Sequence, residues 1–117
     1  MVLKDTPGFS LSNLSITPLE VTALTKSIVG RPTSHIVLNN TSKIAITIDA
    51  PKPGWLLIIS QKDAGTAGHT VTLSAGTFNG SNAIATLNAA NECLVLYGLS
   101  ATRFAVVENI GEVAFSG

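Results

Sequence analysis

The chain has 117 residues, with seven Lys and Arg against seven Asp and Glu and a formal net charge of zero. That length suits one domain, and 45% apolar residues exclude a generally disordered chain. The seven cations are scattered and form no cluster of the kind that displaces counterions from a nucleic acid, and no apolar run approaches the roughly 20 residues of a membrane-spanning helix. We therefore expect no nucleic-acid partner and no membrane partner.

Charge is scarce throughout, at 12% of the residues against about 25% in an ordinary soluble domain. From Ala64 to Asn91 the chain contains no Asp, Glu, Lys or Arg. A small protein with so few charges is poorly protected against self-association. This composition indicates a protein that assembles with copies of itself or whose surface is covered by something else.

The first 16 residues differ from the rest, because Pro7-Gly8 breaks them and their apolar positions lack steady alternation. We interpret residues 1–16 as an extended N-terminal arm and residues 17–117 as a separate β-sandwich domain. Val2, Leu3, Phe9 and Leu11 are the arm's candidate residues for docking onto a partner. A terminus that only frays is the alternative interpretation.

Residues 18–29 fit either one or two helical turns or a strand, and the remainder of the chain predicts β-structure. Thr, Val and Ile make up 32 of the 117 residues, and β-branched side chains favour strands. Period-two alternation predicts strands near residues 34–39, 43–49, 55–60, 69–74, 83–87, 92–98, 102–108 and 112–116. The segment Asn39-Asn40-Thr41-Ser42 predicts a hairpin turn between the first two of these. Short strands about ten residues apart indicate an all-β sandwich or barrel.

Candidate chemistry is sparse. His35 and His69 fall on separate predicted strands with no carboxylate at ligand spacing, so we predict no metal site. Cys93 adjoins Leu94-Val95-Leu96, which favours a buried inert thiol over a nucleophile. The chain contains no nucleotide-binding or hydrolase motif. We expect no enzyme, no metal and no cofactor.

A binding module is the alternative to an assembly protein. Loop 63–69 offers backbone groups for an anion, although a flexible hairpin loop is the favoured interpretation, and loop 76–82 is a second candidate binding loop. Trp55, Tyr97 and Phe104 are candidates for a sugar-stacking platform, although the apolar strand that Trp55 opens favours a core position for that ring.

Two longer patterns carry a resemblance. The first runs from Ile44, Ile46 and Ile48 through Pro53-Gly54 and residues 56–59 to Val71 and Leu73 and the Gly-rich loop 76–80. The second is carried by Leu94, Leu96, Arg103, Phe104, Val106, Val107, Asn109, Gly111, Val113 and Phe115, with Phe104 where Trp is more usual. Together they cover residues 28–117, roughly three quarters of the chain. This region resembles the capsid cement (decoration) proteins of tailed bacteriophages and related β-domains of phage head and tail fibres.

The resemblance implies a jelly-roll-like β-sandwich of about eight short antiparallel strands, assembled as a homotrimer. It further implies a virion protein, made in the bacterial host cytoplasm, that binds the capsid exterior where major capsid subunits meet. The short chain shows no internal repeats and no coiled-coil heptads, which favours a cement protein over a fibre. A fibre-tip or carbohydrate-binding β-module is the alternative function.

Overall fold

The computed structural model describes residues 17–117, and these residues form ten β-strands and no helix. The strands are β1 (Pro18–Val21), β2 (Thr25–Ile28), β3 (Thr33–Leu38), β4 (Ala45–Ile48), β5 (Leu56–Gln61), β6 (His69–Leu73), β7 (Ile84–Leu87), β8 (Cys93–Ser100), β9 (Arg103–Ile110) and β10 (Ala114–Ser116). Sheet A has the order β1-β3-β5-β8-β9 and sheet B the order β10-β7-β6-β4-β2. The predicted all-β sandwich is confirmed. All eight predicted strands are present, and the ambiguous segment 18–29 holds two more.

The first six strands alternate between the two sheets, so that each consecutive pair makes one coil of the chain. Three such coils, β1-β2, β3-β4 and β5-β6, stack with their strands parallel and in register. The chain then reverses, and β7, β8, β9 and β10 add antiparallel strands to the two sheets. Four of the eight strand pairings are therefore parallel, and the expectation of purely antiparallel strands is wrong.

The predicted hairpin between β3 and β4 is also wrong, because the two strands lie in different sheets. The segment 39–42 crosses from sheet A to sheet B and bonds to the preceding coil. The backbone N–H of Asn39 donates to the carbonyl of Val21 at 3.0 Å, and the side-chain Nδ2 of Asn40 donates to the carbonyl of Thr22 at 2.9 Å. These bonds between coils satisfy polar groups that a hairpin would pair across its turn.

The core lies between the sheets and takes the inward side chains of both. It contains Ile36 and Leu38 from β3 and Ile46 and Ile48 from β4, all at most 3% exposed. Separate sheets let these two apolar rows meet across the core, whereas a hairpin would place them side by side on one face. The fully buried Phe78 ring lies between Phe104 and Phe115, with ring centroids 6.1 and 6.0 Å away.

Candidate functional site

A buried pair, Asp63 and His69, is the one place where the described fold brings an acid and a histidine into direct contact. Nδ1 of His69 accepts the backbone N–H of Ile44 at 2.9 Å. The ring proton must therefore lie on Nε2, which donates to Oδ1 of Asp63 at 2.9 Å. The sequence analysis looked only for carboxylates at metal-ligand spacing and did not predict this contact. The available signal was an acid at the start and a histidine at the end of one short loop.

The Asp63 carboxylate collects three further hydrogen bonds. Oδ1 accepts the N–H of Asn40 at 3.0 Å, and Oδ2 accepts the N–H of Gly65 at 3.0 Å and Nε2 of Gln61 at 3.2 Å. Burial alone raises the pKa of this carboxyl, but the hydrogen bonds from His69, Asn40 and Gly65 outweigh burial and hold the pKa of Asp63 below its ordinary value. Asp63 is consequently ionised at neutral pH.

This cluster is built for structure rather than reaction. His69 is fully buried and the side chain of Asp63 is 4% exposed, and their partners are backbone groups and the side-chain amide of Gln61. Loop 63–69 was a candidate anion site, but its Gly65 backbone N–H already donates to the Asp63 carboxylate of the same loop. The cluster joins loop 63–69 to the neighbouring coil at Asn40. Loop 63–69 is not the hairpin loop predicted from the sequence, since it connects β5 in sheet A to β6 in sheet B.

The other candidate reactive residues lie apart from this pair. Nε2 of His35, on β3, is hydrogen-bonded to the hydroxyl of Ser60 at 3.0 Å. Cys93 on β8 is half-buried rather than fully buried, with Ser60 and Ile110 as its register partners. Burial, and then the charge of Glu108, raise the pKa of the Cys93 thiol, so it stays protonated and a poor nucleophile. Within residues 17–117 no three His, Cys, Asp or Glu side chains form a group that could hold a metal ion.

The three aromatic side chains do not form a common platform. Phe104 is buried and stacks on Phe78, whereas Tyr97 is 45% exposed on β8. Trp55 is half-buried and lies outside the core, so its predicted core position is wrong. The Lys52 ammonium lies 5.3 Å from the centre of the Trp55 ring, an attractive cation–π geometry.

The outer faces of the two sheets differ sharply. On sheet A most outward side chains of β5, β8 and β9 are apolar; we call this the apolar face. Its members are Val37, Leu56, Ile58, Cys93, Val95, Tyr97, Leu99 and Ala105, with Ile110 on β9 and Val107 at the β9 bulge, where the register with β8 shifts. The register sets them in rows that also contain polar residues, namely Thr33-Leu56-Tyr97-Ala105, His35-Ile58-Val95-Glu108 and Val37-Ser60-Cys93-Ile110. Strands that are apolar on both faces are ordinarily covered on both faces.

The outward side chains of sheet B are small or carry hydroxyl groups, except Ile84; we call this the hydroxyl face. One row across it is Thr25-Ala45-Thr70-Thr86-Ala114 and the next is Ser27-Thr47-Thr72-Ile84-Ser116. Hydroxyl groups bond to water without a partner protein. One fold thus presents one face suited to water and one that is not.

A second apolar surface lies at the open end of the stack, around the first coil. In the described chain β1 pairs only with β3 and β2 only with β4. Leu19, Leu24 and Val29 are exposed there, Val29 to 76%. Residues of both strands line a groove of about 370 Å³ that includes Thr17, the first described residue. The predicted arm, residues 1–16 with Val2, Leu3, Phe9 and Leu11, lies outside the described residues.

No helix of the described chain is long and apolar enough to cross a membrane. No protein-family model matches the chain, and no curated protein matches it either.

Proposed function

We propose that this protein is a virion structural protein, a homotrimeric cement protein that binds the outside of a tailed-bacteriophage capsid where major capsid subunits meet. One observation carries the proposal. All seven large apolar side chains that are exposed in residues 17–117 belong to two separate surfaces, the apolar face and the open end of the stack. A cement protein needs two such surfaces, one for its own copies and one for the shell.

The physical role follows from having both surfaces on one rigid domain. A copy that holds its neighbours and the shell at once bridges adjacent capsid subunits, so separating those subunits requires breaking its contacts. Three linked copies bind with much higher avidity than one, because the second and third attachments are intramolecular. The scarcity of charge limits the desolvation cost of such contacts. The proposal does not require the jelly-roll connectivity implied by the resemblance, since the function depends on the surfaces rather than on the strand order.

The arm is proposed to bind the capsid through Val2, Leu3, Phe9 and Leu11. Thr17, the first described residue, lines the groove at the open end, so we propose that the groove contributes to the same contact with the shell. A segment that becomes ordered on contact can bury a large surface, but because ordering it uses part of the binding free energy, the net affinity is modest. Deletion of residues 2–12 is expected to abolish co-sedimentation with capsids while leaving the far-ultraviolet circular dichroism unchanged. A truncated protein that decorates capsids normally would contradict the role of the arm.

The central test is the location and mass of the native protein. Electron microscopy of the source particle should show its density on the capsid exterior at subunit junctions, and light scattering should give about three chains per particle in solution. Density at the tail would instead identify a fibre protein.

The alternative, a carbohydrate-binding module of a fibre tip, is favoured by one observation, the exposed ring of Tyr97 on a sheet surface. Exposed aromatic rings stack on sugars as readily as on proteins. Glycan-array binding that is lost in Tyr97→Ala, by a monomeric protein, would establish this alternative in place of the cement protein.

A further inference from the structure

We propose that the apolar face of sheet A is the surface through which copies of this chain bind each other. This inference rests on the proposed function, because it assigns one of the two exposed apolar surfaces to self-association and leaves the open end for the shell.

The first support is the contrast between the two sheets of the same domain. On β5 the outward residues Leu56 and Ile58 are half-buried and apolar, and on β8 and β9 Tyr97, Leu99, Val107 and Ile110 are between 45% and 59% exposed. The equivalent positions of sheet B carry Thr, Ser and Ala, with Ile84 as the one large apolar side chain. Because both sheets use the same strand geometry, the difference comes from side-chain choice and not from the fold. A face chosen to be apolar on a domain that can present hydroxyl groups is a face that meets another protein.

The second support is area. Four strands about 4.8 Å apart and six residues at about 3.3 Å each give a face of roughly 400 Å² in projection. That equals the largest apolar patch of a typical monomer, about 300–600 Å², which is often a functional surface, and it is about half of the roughly 800 Å² that each partner contributes to a stable interface.

The third support is the edge of the sheet, which favours a copy of this chain as the occupant. Among residues 17–117 β9 is the last strand of sheet A, and only Thr77 bridges its outer edge, at Arg103. The register of β9 with β8 shifts at Val95/Leu96 and at Gly98/Ser100, but its eight residues include no Pro and no Lys. Long unpaired edges are usually blunted by such residues, since an open edge otherwise accepts another strand. The chain also has zero formal net charge, so copies do not repel each other at long range. Two acids lie in the rows of the apolar face: Glu108 is in register with Val95, and Glu20, in register with Val37, is paired within the chain with Lys62 at 3.1 Å.

Substitution of exposed residues gives the decisive experiment. Val107→Glu on β9 is expected to convert the wild-type oligomer to single chains in light scattering, because a carboxylate on this face cannot be buried without a partner. Thr47→Glu is the matched control, since Thr47 is also β-branched, exposed and on a strand, but belongs to the hydroxyl face. It should leave the mass unchanged. Ile110→Lys is the second variant on the apolar face, and it introduces a positive charge. If both variants dissociate the oligomer, the cause is the burial of a charge and not an excess of negative charge beside Glu108. Unchanged circular dichroism and cooperative melting establish that each variant folds.

The single native cysteine supplies an independent measurement. Cys93 lies within the apolar face, so maleimide labelling of the wild-type oligomer should be about tenfold slower than labelling of the same residue in the Val107→Glu variant. In a Thr47→Cys, Cys93→Ser protein the new thiol on the hydroxyl face should react at one rate whether or not Val107→Glu is also present. Equal labelling rates of Cys93 in the wild-type oligomer and in single-chain Val107→Glu would contradict coverage by a second copy.

The outcomes separate this inference from the proposed function. A wild-type oligomer that survives both Val107→Glu and Ile110→Lys overturns the assignment of the face and leaves the cement protein standing. A wild-type monomer in solution overturns self-association and with it the proposed homotrimer. A monomer whose Cys93 becomes protected only on capsids assigns the face to the shell and overturns the inference.

Discussion

The buried Asp63 carboxylate provides the sharpest test of how this fold is held together, through the isosteric substitution Asp63→Asn. The carboxylate accepts four donors, two on each oxygen: Asn40 and His69 on Oδ1, and Gly65 and Gln61 on Oδ2. An amide has one oxygen, so in either orientation its NH₂ group faces two donors and leaves them without an acceptor.

The expected loss can be estimated from those two donors. A buried donor left unsatisfied costs about 1–3 kcal/mol, and removal of a buried charge offsets part of the total. We expect Asp63→Asn to lower the free energy of unfolding at pH 7 by about 2–4 kcal/mol, which is a large part of a typical total of about 5–15 kcal/mol. Asp49→Asn is the control, since Asp49 accepts one backbone N–H, from Gly30 at 2.9 Å, which the remaining amide oxygen can still accept, so the substitution should cost less than about 1 kcal/mol. Urea unfolding followed by circular dichroism measures both.

The pH dependence gives a second, independent check. Since the pKa of Asp63 is lowered in the folded protein from its ordinary value of 3.8, the stabilising contribution of the ionised carboxylate is fully present above about pH 4 and is lost as the pH falls through the folded-state pKa. The difference in stability between wild type and Asp63→Asn should therefore shrink as the pH falls below about 4. Equal stability of the two proteins at pH 7, or a difference that grows in acid, would refute the role assigned to the carboxylate.

Two further substitutions test the packing of the sandwich. Gly98→Ala is expected to prevent folding or to lower the melting temperature by more than 10 °C, roughly the effect of 2–3 kcal/mol, because a Cβ there overlaps the Lys52 carbonyl oxygen. Gly30→Ala is the control, since its Cβ meets only ordinary contacts of 3.4 Å or more, and it should be nearly neutral in the same thermal melt. Phe78→Ala removes a fully buried ring between Phe104 and Phe115 and should cost about 3–5 kcal/mol in urea unfolding, so a loss below 1 kcal/mol would show that the core collapses around the cavity.

Alternation of apolar and polar residues was sufficient to locate the strands, because the two-residue period of a strand is a local property. Alternation left residues 18–29 ambiguous, since β1 and β2 are short and the spacing of Thr, Val and Lys there fits both the period of a helix and that of a strand. It could not assign strands to sheets. The rows Ile36-Leu38 and Ile46-Ile48 alternate equally well as neighbours in one hairpin or as partners across the core.

The stacked coils escaped detection for a specific reason. Pro18, His35 and Ile58 are in register in sheet A, yet they are 17 and then 23 residues apart, and in sheet B Thr25, Ala45 and Thr70 are 20 and then 25 residues apart. Connecting loops of unequal length erase the fixed period by which a repeat is recognised in sequence. The strands stack regularly even though the sequence does not repeat.

The amino-acid sequence alone determined that this chain is an all-β domain, poor in charge and in reactive groups, because composition and local periodicity need no knowledge of distant neighbours. Tertiary structure alone decided that Asp63 and His69 meet, that Trp55 lies outside the core, and that the apolar residues of β5, β8 and β9 form one continuous face. Each of these depends on contacts between strands far apart in the chain. Hydrogen bonding and burial across coils select those contacts, and no local pattern encodes them.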